Sequence, residues 1–410
     1  MADINISIND YDYDLPGLLI AYHPAKERSS GRLLYSDVRL SEIKHLNFSD
    51  IIKLIPADSH IIINETKVIA ARIPALKPTG GKAEILCVEP LLPSHDPVIS
   101  LAAKGCSTWK CITGGRAIRK GTVLIPQNES LSLRAEIISK KGNEAEILFI
   151  WNEDMTFAEV TDKAGKIPLP PYIKRDTTPE DKLRYQTIYA KSEGSVAAPT
   201  AGLHFTPGII QSLKDKGVLF SEVTLHVGPG TFIPIEQEEV SAHIMHSEQI
   251  FIDLNTIEDI ARSLQENKNI IATGTTSVRT IESLYWYGIE QMAGAAGHLP
   301  VIDVKQWQPY KNDASVKYTA SEVFEFLAQK MRDSSIPRLY GRTSLIIVPG
   351  YNYRVINGMI TNFHLPKSTL LLLVAAFTGK DLWEKAYREA VAARYRFLSY
   401  GDACLFIYPK

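Results

Sequence analysis

From about residue 67 to residue 158 the chain consists of short β-rich pieces broken by turn signals, and no other stretch limits the fold as much. The pieces are Ala83–Val88, Val98–Ala103, Thr122–Ile125, Leu131–Ser139 and Glu144–Trp151, with Thr79-Gly-Gly and Thr113-Gly-Gly between them. Glycine pairs admit the positive φ that tight turns need, so strands separated this way are expected to pair with their sequence neighbours. The pattern predicts a small antiparallel barrel or sandwich.

The texture differs on both sides of this run. Residues 1 to 66 read as an extended start, a Pro-bounded helix over Phe48–Leu54 and a buried strand, His60–Asn64. From about residue 159, apolar strands alternate with helical patterns, as in a parallel α/β sheet. Ser195–Ala198 precedes a helix over Pro207–Lys216, capped by Thr206 and closed by Gly217. Ile270–Ala272 leads through Gly274-Thr-Thr-Ser277 into a helix containing Val278–Tyr287. Leu345–Val348 reads as a strand ending at Pro349-Gly350. Ser368 and Asp381 are the expected caps of helices running through Phe377 and Ala393. The prediction is an α/β protein. Residues 1–66 and 159–410 form a discontinuous domain with a mostly parallel sheet, and residues 67–158 form an inserted small antiparallel β-barrel. A chain of 410 residues is too long for one ordinary core, so two domains fit.

Composition narrows the function classes. A formal charge of -1 argues against a globally basic nucleic-acid binder and leaves room for a local basic patch. The four cysteines, Cys87, Cys106, Cys111 and Cys404, form no C-x-x-C pair, which fits a reducing cytoplasm. The start lacks a basic and apolar leader, and the longest apolar run, Leu370–Phe377, is far short of the ~20 residues of a membrane span. A cytoplasmic protein with no membrane contact is expected.

Three histidines sit in runs dense in Gly, Pro and Thr: Ala198-Pro-Thr-Ala-Gly-Leu-His204, Thr224-Leu-His226-Val-Gly-Pro-Gly, and Ile360-Thr-Asn-Phe-His364-Leu-Pro-Lys. Such runs cannot be mid-helix, so each imidazole is held on a constrained turn. Functional groups of α/β sheets gather at strand ends, and three such turns are expected to meet in one cleft as acid-base groups. Gly274-Thr-Thr-Ser277 opens a helix after a strand, where free N–H groups and the helix dipole hold an anion, with Arg279 close behind. His243-x-x-His246-x-Glu248 has metal-ligand spacing but lacks the H-E-x-x-H order, and no metal is expected. Five basic residues, Lys104, Lys110, Arg116, Arg119 and Lys120, fall between Asp96 and Glu129 with no acidic one, either a solvated rim or a face for phosphate.

These motifs resemble one family closely, the S-adenosylmethionine:tRNA ribosyltransferase-isomerases of queuosine biosynthesis. The matching runs are Tyr13-Asp-Leu-Pro16, Lys77-Pro-Thr-Gly-Gly-Lys82, Pro168-Leu-Pro-Pro-Tyr-Ile-Lys174, Tyr185-Gln-Thr-Ile-Tyr-Ala190 and the eleven residues from Val196 to Thr206. They continue with Thr224–Phe232, His246-Ser-Glu248, Gly274–Arg279, Pro349-Gly-Tyr351, Ile360–Leu370 and Tyr395–Asp402. The resemblance implies a large α/β domain with an inserted barrel. It also implies transfer and isomerisation of the ribosyl part of S-adenosylmethionine, a co-substrate, onto 7-aminomethyl-7-deazaguanine at the tRNA wobble position. Epoxyqueuosine-tRNA forms and adenine and methionine leave.

Protons beside a sulfonium are acidic, the amine must attack neutral, and adenine leaves more easily when protonated. Histidines on rigid turns suit these tasks. His204, His226 and His364 are therefore the expected acid-base residues, with their roles unassigned. Gly274, Thr275, Thr276, Ser277 and Arg279 are expected to hold the methionine carboxylate, Asp402 the aminomethyl ammonium or a ribose hydroxyl, and Lys367 a phosphate. Thr200, Gly202, Gly228, Gly230, Glu248 and Asn362 complete the expected substrate contacts, and the five basic residues the RNA contacts. A monomer is the expected state. The chain departs from the family's usual runs at Glu65, Lys67 and Ile233, which replace an Asp and two Arg. Contacts there are expected to differ, and the alternative reading is a divergent paralogue that binds RNA or uses another acceptor.

Overall fold

The computed structural model describes residues 6–126, 131–152, 154–228, 230, 235, 237–294, 299–312 and 317–410. The chain opens with strands β1 (Arg32–Asp37), β2 (Glu42–Asn47), β3 (Ser59–Asn64) and the short β4 (Thr66–Val68). Six strands follow: β5 (Arg72–Leu76), β6 (Lys82–Leu92), β7 (Cys106–Gly114), β8 (Val123–Pro126), β9 (Arg134–Lys141) and β10 (Glu144–Ile150). The rest carries β11 (Ser192–Ser195), β12 (Leu219–His226), β13 (Glu248–Asp253), β14 (Asn269–Thr273), β15 (Val301–Val304), β16 (Arg338–Thr343), β17 (Gly358–Asn362) and β18 (Ala403–Ile407).

β5 to β10 close into an antiparallel barrel in the order β10-β7-β6-β5-β8-β9. Trp109, Phe149 and Ile147 fill its interior, and Phe157, on the helix Phe157–Ala164, packs against Trp109 and Phe149. One of its strands, β5, carries a weak signal in the sequence because Pro74 interrupts it, whereas β7 alternates polar Thr108 and Lys110 with buried Trp109 and Cys111. Val98–Ala103 is not a strand but overlaps the helix Pro97–Leu101. Asp96 caps that helix by accepting from the Val98 N–H at 2.9 Å, and a Pro sits at its first position.

The larger sheet has ten strands in the order β15-β16-β13-β12-β3-β14-β17-β18-β1-β2. Its centre, β12-β3-β14-β17, is parallel, as the βαβ pattern predicts. Antiparallel ladders flank it at β12-β13, β13-β16, β17-β18 and β1-β2, which makes the sheet as a whole mixed. β3 is buried along its whole length because helices cover both faces, and its Ser-His-Ile-Ile-Ile-Asn run does not alternate. β2, largely exposed and rich in charge, ends the sheet.

The helix Pro207–Asp215 starts as its sequence signals predict. Thr206 Oγ1 accepts from the Ile209 N–H at 3.2 Å, and Gly217 beyond the end has φ +98°. Gly379, at φ +80°, separates the last two helices, Thr369–Thr378 and Lys380–Ala392. It takes the cap position expected of Asp381, which lies in the first turn instead. Leu345–Val348 is buried but belongs to no strand. The N–H groups of Leu345 and Val348 donate to the hydroxyls of Thr343 and Tyr310, and that of Ile346 to the Gln306 carbonyl.

Candidate active site

The four central parallel strands end together. Their carboxyl ends are Asn64 on β3, His226 on β12, Thr273 on β14 and Asn362 on β17, the edge where open α/β sheets place their ligands. Asn64 ties this edge together. Its Nδ2 donates to the Leu225 carbonyl at 2.9 Å and lies 3.4 Å from Thr276 Oγ1, while its Oδ1 accepts from the Leu225 and Thr66 N–H groups.

A cleft opens over this edge. One wall is the turn from Ala198 to Ala201, a second is Gly274-Thr275-Thr276, and a third runs from Thr361 to Leu365. Tyr172, Leu398 and Ser399 close it. Gly274 has φ +87°, a conformation side chains resist, and this sharp turn starts the helix Thr275–Met292. The first N–H groups of a helix have no acceptor within it, so this wall carries a positive dipole end beside two hydroxyls. Among the residues lining the cleft there is neither a carboxylate nor a lysine or arginine.

The structure does not bring the three turn-held histidines into one cleft. His364 lines it, with Nε2 2.8 Å from Thr361 Oγ1. Its backbone N–H donates to the Tyr387 hydroxyl at 3.1 Å, and its carbonyl accepts from the Tyr13 hydroxyl. His204 stands one residue behind the wall. Its Nε2 is 3.4 Å from Asn362 Nδ2, and its ring stacks on Phe48 with centroids 4.9 Å apart. Asn362 in turn accepts from Thr200 Oγ1 at 2.8 Å, so Thr200, Asn362 and His204 form a chain leading inward from the cleft. His226 is turned elsewhere. Its Nδ1 is 2.8 Å from Thr66 Oγ1, its ring meets Phe251 edge-on, and its neighbour Val227 is the residue that reaches the cleft. Burial lowers all three pKa values, to about 4 for His204 and about 3 for His226 and His364, so each is neutral at neutral pH.

The other expected residues divide in the same way. Thr200, Gly274, Thr275, Thr276 and Asn362 line the cleft. The Ser277 hydroxyl is spent on the Thr273 carbonyl at 2.7 Å. Gly202 is packed against Tyr189. Arg279 forms a buried ion pair with Glu248 and donates through Nε to the Leu345 carbonyl, while its Nη2 has no hydrogen-bond partner among the described residues. These two residues and Gly230 border a small cavity that shares Leu370 with the cleft. Gly228 follows Val227 on the same turn, and residues 229 and 231–234, with Ile233, lie outside the described residues.

Two expected contacts are spent on the protein itself. Asp402 accepts from the Arg32 N–H at 2.9 Å and the Arg396 N–H at 2.8 Å, and it pairs with the Arg32 guanidinium. Lys367 pairs with Asp12 at 3.1 Å and donates to Asn9 at 3.0 Å. Neither lines the cleft. Glu65 and Lys67 also serve internal contacts. Glu65 accepts from the Ser192 N–H at 2.7 Å and from the Thr224 hydroxyl, and Lys67 pairs with Glu193 at 2.7 Å.

The five basic residues do not share one face. Lys104 precedes β7 and Arg116, Arg119 and Lys120 follow it, and nine residues of strand at about 3.4 Å each put on the order of 30 Å between the two groups. Lys110, between them, pairs with Glu144 at 3.1 Å. The turn end of the barrel instead adds Lys77, whose Nζ donates to the Arg116 carbonyl at 3.0 Å, and Lys140, whose Nζ donates to Thr113. Linear spacing hides this group, because it assembles from separate hairpin turns. The cleft residues Thr361, Tyr172 and Ser399 are likewise plain in sequence. Among the described residues, no group of three His, Cys, Asp or Glu side chains is placed to hold a metal, and no helix is long and apolar enough to cross a membrane.

Comparison with known proteins gives one answer along the chain. Residues 8–406 match a family described as queuosine biosynthesis protein. The chain is similar to S-adenosylmethionine:tRNA ribosyltransferase-isomerase from Thermotoga petrophila, at 38% identity over 403 residues, 98% of this chain and 100% of that protein. A protein of the same name from Aquifex aeolicus is 35% identical over 401 residues, 98% of this chain and 99% of its own length. The crystal structure of S-adenosylmethionine tRNA ribosyltransferase from Thermotoga maritima is 29% identical, covers 97% of this chain and 100% of that one, and gives a TM-score of 0.47.

Proposed function

Since the chain belongs to the queuosine biosynthesis protein family, we propose that it is an S-adenosylmethionine:tRNA ribosyltransferase-isomerase. It moves and rearranges the ribosyl group of S-adenosylmethionine onto 7-aminomethyl-7-deazaguanine at the wobble position of tRNA, releasing adenine and methionine. It works in the cytoplasm as a monomer, with residues 67–158 as an inserted domain whose exposed Arg116, Arg119 and Lys120 face RNA.

The observation that carries this reading is a neutral imidazole on one wall of an uncharged cleft, with a helix N-terminus on another. A sulfonium is already positive, and a cleft lined with hydroxyls and dipoles admits it without a fixed cation to repel it. The Gly274–Thr276 turn holds the methionine carboxylate through backbone N–H groups, backed by Arg279 in the adjoining cavity. His364 takes the proton next to the sulfur. Burial destabilises the resulting imidazolium, so it readily gives that proton to the departing adenine. Thr200 and Asn362 position the ribose hydroxyls, with His204 behind them fixing the Asn362 amide.

The direct test incubates the protein with S-adenosylmethionine and tRNA carrying the aminomethyl-deazaguanine, and scores adenine release. Release that requires this RNA is expected. No adenine with it, or equal adenine without it, overturns the reading.

A further inference from the structure

Beside the cleft lies a second, smaller cavity with a different character. Pro24, Ala25, Arg28, Arg184, His204 and Gly401 line it, and Ser399 borders both spaces. The His204 ring forms part of this cavity's wall while its Nε2 meets Asn362 on the cleft side. The two spaces are therefore separated by little more than one histidine and one serine.

The charge here is only partly compensated, by one exposed carboxylate. Arg28 donates to two backbone carbonyls, Leu203 at 3.1 Å and Leu183 at 3.0 Å, and among the described residues it has no carboxylate partner. Arg184 donates to the carbonyls of Lys26, at 3.2 Å, and Ala25, and reaches the exposed Glu180 at 3.4 Å. Burial, and then the neighbouring Arg184 charge, lower the Arg28 pKa from its ordinary value. Arg396, tethered to the His23 carbonyl, adds a further positive charge near His204. Carbonyl tethers fix a guanidinium without neutralising it and leave its other N–H donors for a ligand. Two such forks beside one cavity suit an oxyanion, which they can grip in bidentate fashion.

We propose that this cavity is a phosphate subsite, taking a phosphodiester of the RNA whose modified base enters the neighbouring cleft. The proposal rests on the RNA-modifying reading above. The cavity is small and open to solvent, which suits a phosphate group better than a nucleoside. Its position beyond His204 places positive charge beside a cleft whose lining carries none. The RNA backbone is thus held beside the reacting base rather than only on the distant barrel.

The test is binding of unmodified tRNA by gel shift across a salt series, which needs no turnover. Arg184→Gln is expected to weaken binding about tenfold at low salt and to flatten the slope of log affinity against log salt by about 0.7–0.9, the value for one lost phosphate contact. Arg184→Lys recovers most of the slope, and KM for S-adenosylmethionine stays at the wild-type value in both. An Arg184→Gln protein with wild-type melting temperature, affinity and slope overturns the proposal. So does a cavity that serves free phosphate: inorganic phosphate raising the wild-type melting temperature but not the variant's, with tRNA binding unchanged. Should the variants melt early, dicarbonyl labelling of the wild-type protein decides, because tRNA must protect Arg28 and Arg184. A change in slope without any adenine release would sink the catalytic reading and leave the subsite standing.

Discussion

The Thr361 hydroxyl lies 2.8 Å from Nε2 of His364, three residues on, at the point where β17 runs out into the cleft wall. Tyr387 and Tyr13 grip the histidine's backbone from either side. The ring is therefore held at one nitrogen and at its main chain. On the proposed mechanism, proton exchange with a ligand falls to the other nitrogen, Nδ1. Thr361 is thereby expected to set the imidazole's orientation and tautomer.

Replacing Thr361 by Val keeps the shape and removes the hydroxyl. A ring free to turn, or in the wrong tautomer, costs turnover more than binding. For Thr361→Val, kcat for adenine release is expected to fall on the order of tenfold or more, with KM for S-adenosylmethionine within about twofold of wild type. Thr361→Ser should restore most of the rate. Full turnover in the Val variant would remove Thr361 from the scheme.

Acid should unfold this protein early. His60, His204 and His226 are buried and His364 is half-buried, and their pKa values are pushed down by desolvation to about 4, 4, 3 and 3. In the unfolded chain each titrates near 6.5. Between those values the unfolded state binds the extra proton, so stability is full above the unfolded pKa and is lost as pH falls below it. Each histidine contributes up to about 1.4 kcal/mol per pH unit in that window. Calorimetric melting temperature is expected to drop steeply from pH 6.5 to 4.5, before most carboxylates titrate. A flat profile across that range would show that these sites are hydrated or charged in the fold.

Much of this was readable in the residues because local rules and tertiary structure agree. Gly and Pro punctuation marked the barrel, and the Thr206, Pro207 and Gly217 signals marked a helix that the structure keeps almost to the residue. Gly274 and its two threonines announced a strand-to-helix turn, and they line the cleft. What sequence could not show was direction. His226 sits on as stiff a turn as His364, yet it ends its strand facing Thr66 and Phe251. Asp402 and Lys367 looked like free charges, but each already has partners far away in the chain. Leu345–Val348 has a strand's composition but joins no ladder among the described residues. Period and composition describe one segment at a time, while orientation and pairing depend on segments hundreds of residues apart.

The Glu248–Arg279 ion pair is buried on both sides and connects β13 to the helix that opens at Gly274. Removing one partner leaves a charge in a dry site, at a cost of about 3–5 kcal/mol. Glu248→Ala is expected to lower stability in urea by that amount, while the double variant Glu248→Ala with Arg279→Met recovers a large part of it. Arg279→Met should also raise KM for S-adenosylmethionine, because its unpartnered Nη2 is assigned to the methionine carboxylate. Additive urea effects and an unchanged KM would leave the pair without either role.

Glu282 joins two walls of the cleft from beneath. It is fully buried on the helix Thr275–Met292, and its carboxylate accepts from the Tyr351 hydroxyl at 2.8 Å and from the N–H groups of Arg354, Val355 and Ile356 at 3.0, 3.0 and 3.2 Å. Those residues form the loop that enters β17, which delivers Thr361, Asn362 and His364. Burial pushes the Glu282 carboxyl above the usual carboxylate range, and these four donors offset only part of that penalty. Glu282→Ala orphans all four donors and is expected to cost upwards of about 3 kcal/mol. Glu282→Gln keeps one acceptor oxygen but turns an amide N–H₂ toward the Arg354 N–H, so it should fall between Ala and wild type. Because the loop sets the position of the His364 wall, the Gln variant is also expected to lose kcat at temperatures where it remains folded. Urea melts that do not separate the three proteins, or a Gln variant with wild-type kcat, would show that the loop holds the wall without Glu282.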